Sequence, residues 1–356
     1  MWQVCKKGGI LCVLAACVSL AAEAATLKVP GEYATIQAAI DAAAAGDIVL
    51  VADGVYTGTG NRDIDLKGKA ITLRSANGPA YCTIDCAASE ENMHRGFVLH
   101  SGESRSAVIE GFTITSAVAN MGAGILCTHG ASPTIRGNVI RGNRVPWDCD
   151  GGGGIKCRDG AAPLIEGNII EDNHCEPGSG GGGIHCYNSG RVEIRRNIIR
   201  GNRATSGGGI EIGYNAQGAE IANNLIEDNA AGSGAGVLIS TATGEAQLCN
   251  NTIVNNEADY SGGGVRVTGE SEATIINCVV WGNRADGDLE GAQIDKGLAS
   301  VGLLHCCVEG WSGFPGVNGN FGRDPLFADA AAGDYRLRDN SPCVDSGLND
   351  ARRRGG

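Results

Sequence analysis

Lys156, His185 and Glu211 are the residues of this sequence whose types and spacing point to shared chemistry. Each follows a Gly-Ile pair, in Gly154-Ile155-Lys156-Cys157, Gly183-Ile184-His185-Cys186 and Gly209-Ile210-Glu211-Ile212, so the three recur at offsets of 29 and 26 residues. Leu126 and Leu238 take the same place before and after them, and Arg158, Asp159, Tyr187, Asn188 and Tyr214 stand close by. If successive repeats are neighbouring strands, this sets a cation, an imidazole, a carboxylate and two aromatic rings along roughly 10–15 Å of one face. Such a face suits a sugar chain, whose rings lie flat on aromatic side chains. Removing a proton α to a uronate carboxyl needs a base and a cation to hold the enolate, roles open to Lys156, Arg158 and His185. The plainer alternative is a row of ordinary solvent-facing residues on a sheet.

Two further groups deserve weighing. The loop Arg144-Val145-Pro146-Trp147-Asp148-Cys149-Asp150 has a counterpart in His174-Cys175-Glu176. Asp148, Asp150 and Glu176 offer the hard oxygen ligands that Ca2+ prefers, while a Cys149–Cys175 staple explains the loop more simply. Asp172 and Asp228 fall at one aligned position two repeats apart, about 10 Å by strand spacing and near the gap of an inverting glycosidase pair. Nothing else supports that pairing. The six His show no metal-ligand spacing, so Ca2+ is the one cofactor weighed and none is assigned.

The elements that must position these residues are repeats. Blocks begin at Gly124, Gly154, Gly183, Gly209, Gly236 and Gly264, each followed by Ile or Val, at offsets of 30, 29, 26, 27 and 28. Each block runs into a second aliphatic stretch and closes on N-x-I-x-x-N or a close variant. The first Asn is Asn138, Asn168, Asn197, Asn224 or Asn251, and the second is Asn143, Asn173, Asn202, Asn229, Asn256 or Asn283. A block this short cannot bury its own apolar face, but coiled into a rung and stacked it buries that face continuously. Aromatic content of 4% agrees, because the core must then be stacked aliphatics. The expected fold is all-β: a right-handed parallel β-helix with two asparagine ladders, whose amides bond along the stack. Asn and Gly also tolerate the left-handed backbone that sharp corners demand.

Arg141, Glu171, Arg200 and Glu227 share one aligned position, and Arg136, Glu166 and Arg195 another, alternating in sign as a cross-strand ladder would. Cys127, Cys157 and Cys186 also align, and Cys278 and Cys307 look equivalent. Cys82 and Cys86 bracket one short stretch.

Residues 34–45 read as an amphipathic helix with Thr35 as N-cap and Gly46 as its stop, placed to cover the first open sheet edge. From Val308 onward the repeat is lost, so 25–307 is the expected solenoid and 308–356 an irregular cap or extension. The last residues hold no recognisable final element, and a longer C-terminus is expected. Residues 1–24 read as an export signal: Lys6 and Lys7, an apolar run over 9–20 too short to span a bilayer, then Ala22-Glu23-Ala24. Leu14-Ala15-Ala16-Cys17 is an alternative lipobox, with a signal of 1–16 and a lipid anchor at Cys17 as the only membrane attachment. Either route leads to a secreted or cell-surface protein. Twelve cysteines beyond Ala24 then suggest disulfides of unassigned connectivity. Net charge of −12 repels a phosphate backbone and disfavours nucleic acid. A monomer is expected, with a polysaccharide or cell-surface glycan as partner.

Val29-Pro30-Gly31-Glu32-Tyr33-Ala34-Thr35-Ile36-Gln37 with Gly46-Asp47-Ile48-Val49-Leu50-Val51 resembles the opening of pectin-lyase-like β-helix proteins. Ile109-Glu110-Gly111-Phe112-Thr113-Ile114 is similar to the same superfamily. The stretch from Asp324-Pro325-Leu326-Phe327 to Ser341-Pro342-Cys343-Val344-Asp345-Ser346-Gly347 resembles the ends of bacterial members carrying a C-terminal surface anchor. The resemblance implies the solenoid fold and admits polysaccharide lyases, hydrolases and epimerases. Their motifs are missing: there is no G-H-G, no N-T-D and no D-P-H-E. Three functions stay open: a polysaccharide-interacting exported protein, a structural surface protein or adhesin, and a uronan lyase or glycoside hydrolase. The segments 202–210 and 256–265 resemble repeats of outer-membrane adhesins, which favours the second.

Overall fold

The structure, a computed structural model, describes residues 24–286, 289–313 and 317–349. Strands pair at the spacing of the repeat itself. Ile155 lies beside Ile184 and Ile184 beside Ile210; Ile165 beside Ile194; Ile170 beside Ile199. This in-register pairing builds three long parallel sheets, of 11, 10 and 8 strands, and a short five-stranded one. The chain is a parallel β-solenoid. Alternate residues point inward, so Ile135, Ile165, Ile194 and Ile221 stack fully buried in one core. Among the strands of the described residues, Phe327–Asp329 and Asp334–Leu337 pair antiparallel, and an isolated antiparallel bridge joins His94 and Val118.

Both asparagine ladders form, and their bonding is regular. In each, the Asn side chain donates to a main-chain carbonyl and to the next Asn, whose Oδ1 also takes the backbone N–H of the first. Asn202 shows the pattern: Nδ2 donates to Ile170 O at 2.9 Å and to Asn229 Oδ1 at 3.0 Å, while its Oδ1 accepts from Asn173 N and Nδ2 at 3.1 and 3.0 Å. The ladder residues are buried. The ladders end on other residues. Cys278 Sγ accepts from Asn251 N at 3.4 Å, and Gln293 Oε1 accepts from Asn283 N at 3.1 Å. Gln293 arrives from the short helix Leu289–Gln293 and is invisible to the repeat.

The corners differ from expectation in one respect. The left-handed residue is the one before each ladder Asn: Asp172 (φ 53°), Asn223 (φ 57°), Asp228 (φ 53°), Asn255 (φ 54°) or a Gly such as Gly201 (φ 63°). The ladder residues are free to keep ordinary backbone. Asp172 and Asp228 are thus explained by the conformation their positions require, since Asp and Asn tolerate it best after Gly.

Arg200 meets Glu171 at 2.7 Å and Glu227 at 4.0 Å, and Arg195 meets Glu166 at 3.4 Å, so the alternating charges face each other across strands. Cysteines correct two expectations. Register pairs Val279 with Cys307, so Cys278 neighbours Cys306 and not Cys307. Cys127, Cys157 and Cys186 pack side by side on the core face as free thiols, hydrogen-bonded along the stack. Cys149 and Cys175 form no staple: Cys175 turns into the core, its Sγ donating to Gly181 O at 3.6 Å.

The first helix spans Ile36–Ala42, shorter than 34–45, because Ala43 already takes extended backbone (φ −66°, ψ 143°). Thr35 Oγ1 accepts from Ala38 N at 3.2 Å, and Ile36, Ala39 and Ile40 are buried. Among the described residues no helix is long and apolar enough to cross a membrane. Residues 1–23, with Lys6, Lys7 and Cys17, lie outside the described residues.

Truncating a ladder rung strands buried donors and acceptors on both sides. Asn202→Ala is expected to cost about 3 kcal/mol or more, whereas Arg200→Ala, in an exposed ion pair, costs below about 1 kcal/mol. Urea unfolding of both variants measures this; equal losses would sink the ladder's structural role.

Candidate functional site

The eight-stranded sheet carries the strands Ile155–Arg158, Ile184–Tyr187 and Ile210–Ile212 side by side. Inward residues alternate with outward ones, so Lys156, His185 and Glu211 form one outward row in direct register. That row does not face solvent, as the plainer reading had it. The Gly-rich segments before each strand fold back over it, leaving Lys156 0%, His185 5% and the Glu211 side chain 12% exposed. Glycine is required there: at Gly181, at φ 64°, a Cβ would collide with His185 Cβ and the Ile184 carbonyl, and at Gly151, at φ 63°, with the Gly180 carbonyl. Leu126 and Leu238, in the same row, are buried as well. Three ionisable groups therefore occupy a covered strip where the flanking rungs place leucine.

Lys156 bonds directly to Asp150 and His185, and Glu211 to Ser206. Lys156 Nζ donates to Asp150 Oδ1 at 2.9 Å, to Asp150 O, and to His185 Nδ1 at 3.0 Å. With Lys156 charged, an ammonium that has only donors, Nδ1 accepts and a neutral imidazole carries its proton on Nε2. Nε2 points at Glu211 Oε1, 3.9 Å away. Glu211 Oε2 accepts from Ser206 Oγ at 2.9 Å. Two bonded groups result, Asp150–Lys156–His185 and Glu211–Ser206, which face each other across a 3.9 Å gap between His185 and Glu211.

Burial governs the ionisation of these residues. It pushes Lys156 down, opposed by Asp150, and pushes His185 well down with help from the Lys156 charge. It lifts the Glu211 carboxyl to about 7, against the Ser206 hydroxyl, the Lys156 charge and the Gly181 N–H. A carboxyl so poised can take or give a proton near neutrality.

The aromatic residues stand beside this row. Tyr187 and Tyr214 stack with centroids 5.5 Å apart and planes at 28°, and Tyr214 is 52% exposed. Lys156 Nζ lies 5.2 Å from the Tyr187 ring centre. His185, Glu211, Ser206, Tyr187, Tyr214 and Asp150 line a recess of about 260 Å3. Arg158 is turned aside to Asp150 at 3.2 Å and Asp159 at 2.9 Å.

Sequence reasoning missed Ser206, and weighed Asp150 only as a possible Ca2+ ligand and not as the counter-ion of Lys156. The hint for Asp150 was its place just before the glycine run at 151–154. Glu176 is likewise taken, by Arg144 at 2.9 Å. Among the described residues no three His, Cys, Asp or Glu gather as a metal would need.

Residues 69–252 and 174–302 match a family model described as a right handed beta helix region. The chain belongs to that family of right-handed parallel β-helices. Among solved structures, that of the pectate lyase Pel9A is 15% identical, with a TM-score of 0.52 and 93% of each chain covered. An alginate lyase from Paenibacillus sp. str. FPU-7 is 14% identical, with a TM-score of 0.39, covering 79% of this chain and 99% of its own. No curated protein matches the sequence. At 15% identity the likeness to the pectate lyase is one of fold alone.

Glu211 carries a testable consequence. Its folded pKa of about 7 exceeds its ordinary 4.5, so between these values the folded state keeps a proton the unfolded chain has released. Its contribution to stability is therefore present at acid pH and is lost as pH rises through about 7. Glu211→Gln removes that dependence: its stability relative to the native chain should grow between pH 5 and pH 8 by up to roughly 3 kcal/mol. Thermal unfolding across that range measures it, and parallel pH curves would contradict the assignment.

Proposed function

We propose that this protein binds a polysaccharide along the sheet that carries Tyr187 and Tyr214. Sugar rings lie against the stacked tyrosines, and hydroxyl or carboxyl groups reach into the recess over His185 and Glu211. The observation that carries this reading is the tyrosine stack, exposed at Tyr214, at the rim of a recess floored by buried, hydrogen-bonded polar groups. Burying such groups is costly, and the leucines of the flanking rungs show that the fold does not need them there. Lys156 lies too deep to touch a sugar; in this reading it holds His185 and the Asp150 loop in place.

Kinship of fold with a pectate lyase supports the choice of a polysaccharide. The binding reading includes export, supported by Lys6, Lys7, the apolar run over 9–20 and Ala22-Glu23-Ala24. Cleavage of the bound glycan is a second reading, favoured by one feature: a carboxyl lifted to about 7 that lines the recess.

A panel of polygalacturonate, alginate and neutral glucans, assayed by affinity electrophoresis, tests binding. One anionic member should bind, and Tyr187→Ala or Tyr214→Ala should weaken it by roughly tenfold. Absorbance of unsaturated products, lost in Glu211→Gln, would add catalysis. Silence on every polymer would favour a structural surface protein instead.

A further inference from the structure

Past the last rung the chain turns back and runs along the corners of the preceding repeats. Tyr335 Oη accepts from Asn255 Nδ2 at 2.9 Å, and Asn277 exchanges two hydrogen bonds with the Leu348 backbone at 3.0 and 2.7 Å. His305 Nδ1 lies 3.0 Å from Ser346 O. This return brings together two cysteines far apart in sequence. Cys307 is on the last strand of the ten-stranded sheet, paired with Val279 on one side and bridged to Phe321 on the other. Cys343 is on the returning segment, where Ser341 Oγ accepts its N–H at 3.1 Å and donates to Pro325 O at 2.6 Å. Both line one cavity of about 250 Å3, where each thiol shifts the ionisation of the other and Cys307 Sγ donates to Arg323 O at 3.2 Å.

We propose that Cys307 and Cys343 are a disulfide-forming pair whose oxidation clasps the returning segment onto the end of the solenoid. The neighbouring cysteine is not an alternative partner. Cys306 points into the core, its Sγ donating to Ile275 O at 3.3 Å, and Cys278 beside it is equally buried.

The two cysteines have different roles. Cys343 is half-buried and reachable from solvent, while Cys307 is 2% exposed. Contact with the Cys307 thiol lowers the pKa of Cys343, and the same contact together with burial raises that of Cys307. Cys343 is the attacking sulfur. Its thiolate bonds to one sulfur of an external disulfide, such as oxidised glutathione, and the other half leaves as a thiolate that takes up the proton Cys343 released. Cys307 then gives up its proton as its sulfur attacks Cys343 Sγ, expelling the second glutathione thiol. Two protein thiols become one disulfide, and one external disulfide becomes two thiols.

The test uses the full chain, equilibrated with oxidised or reduced glutathione, alkylated, and digested with trypsin without reduction. Mass spectrometry should find the Cys343 peptide joined to the peptide holding Cys306 and Cys307 only in the oxidised sample. The link should persist in Cys306→Ser and vanish in Cys343→Ser and Cys307→Ser, and circular dichroism should show all three folded. In the unsubstituted protein, oxidation should also slow proteolytic release of the segment after Val308. A link that depends on Cys306, or full alkylation of Cys343 under excess oxidised glutathione, overturns the proposal.

Discussion

A buried asparagine amide needs a partner for each donor and acceptor, and here it finds them in the rungs on either side. Asn202 takes bonds from Asn173 and gives them to Asn229, and the same geometry repeats along both ladders. An unpaired buried amide costs about 1–3 kcal/mol per group, so the ladder resists any slip of one rung against the next. Register fixed in this way is what makes Ile stack on Ile in the core and Arg face Glu outside. It also sets Lys156, His185 and Glu211 side by side. The left-handed corner before each ladder residue turns the chain, and the amide pins the turn.

The covered row is where the repeat departs from pure structure. Leu126 and Leu238 show what the fold prefers under the glycine-rich crossovers, yet three rungs carry a cation, an imidazole and a carboxyl. These groups are tolerable because Lys156 bonds to His185 and Asp150, and Glu211 to Ser206. The crossovers lie so close that only glycine fits, at Gly151 and Gly181 above all. One packing constraint therefore explains both the glycine runs and the shifted ionisation of Glu211, since it is the same backbone that excludes water from the carboxyl.

Much of this was legible beforehand. The Gly-Ile and N-x-I-x-x-N periods yield the parallel sheets and both ladders, and Thr35 marks the start of the first helix. What escaped was anything outside the period. Gln293 closes the second ladder from a helix that belongs to no repeat. Aligning Cys278 with Cys307 erred by one residue, because at the solenoid's end the two adjacent cysteines leave the eye no fixed point, whereas the hydrogen-bonded pairing of Val279 with Cys307 does.

By itself, then, the sequence determined the repeat, and with it the fold class, the stacking of the core and the adjacency of Lys156, His185 and Glu211. Periodicity encodes which residues are neighbours along the stack. It does not encode what lies above a sheet face. Only the tertiary structure decided that the row is roofed by its own crossovers, that Asp150 faces Lys156, and that Cys343 returns to Cys307. Those contacts join segments of different period or none, and each depends on how far a loop folds back, a matter of packing rather than pattern.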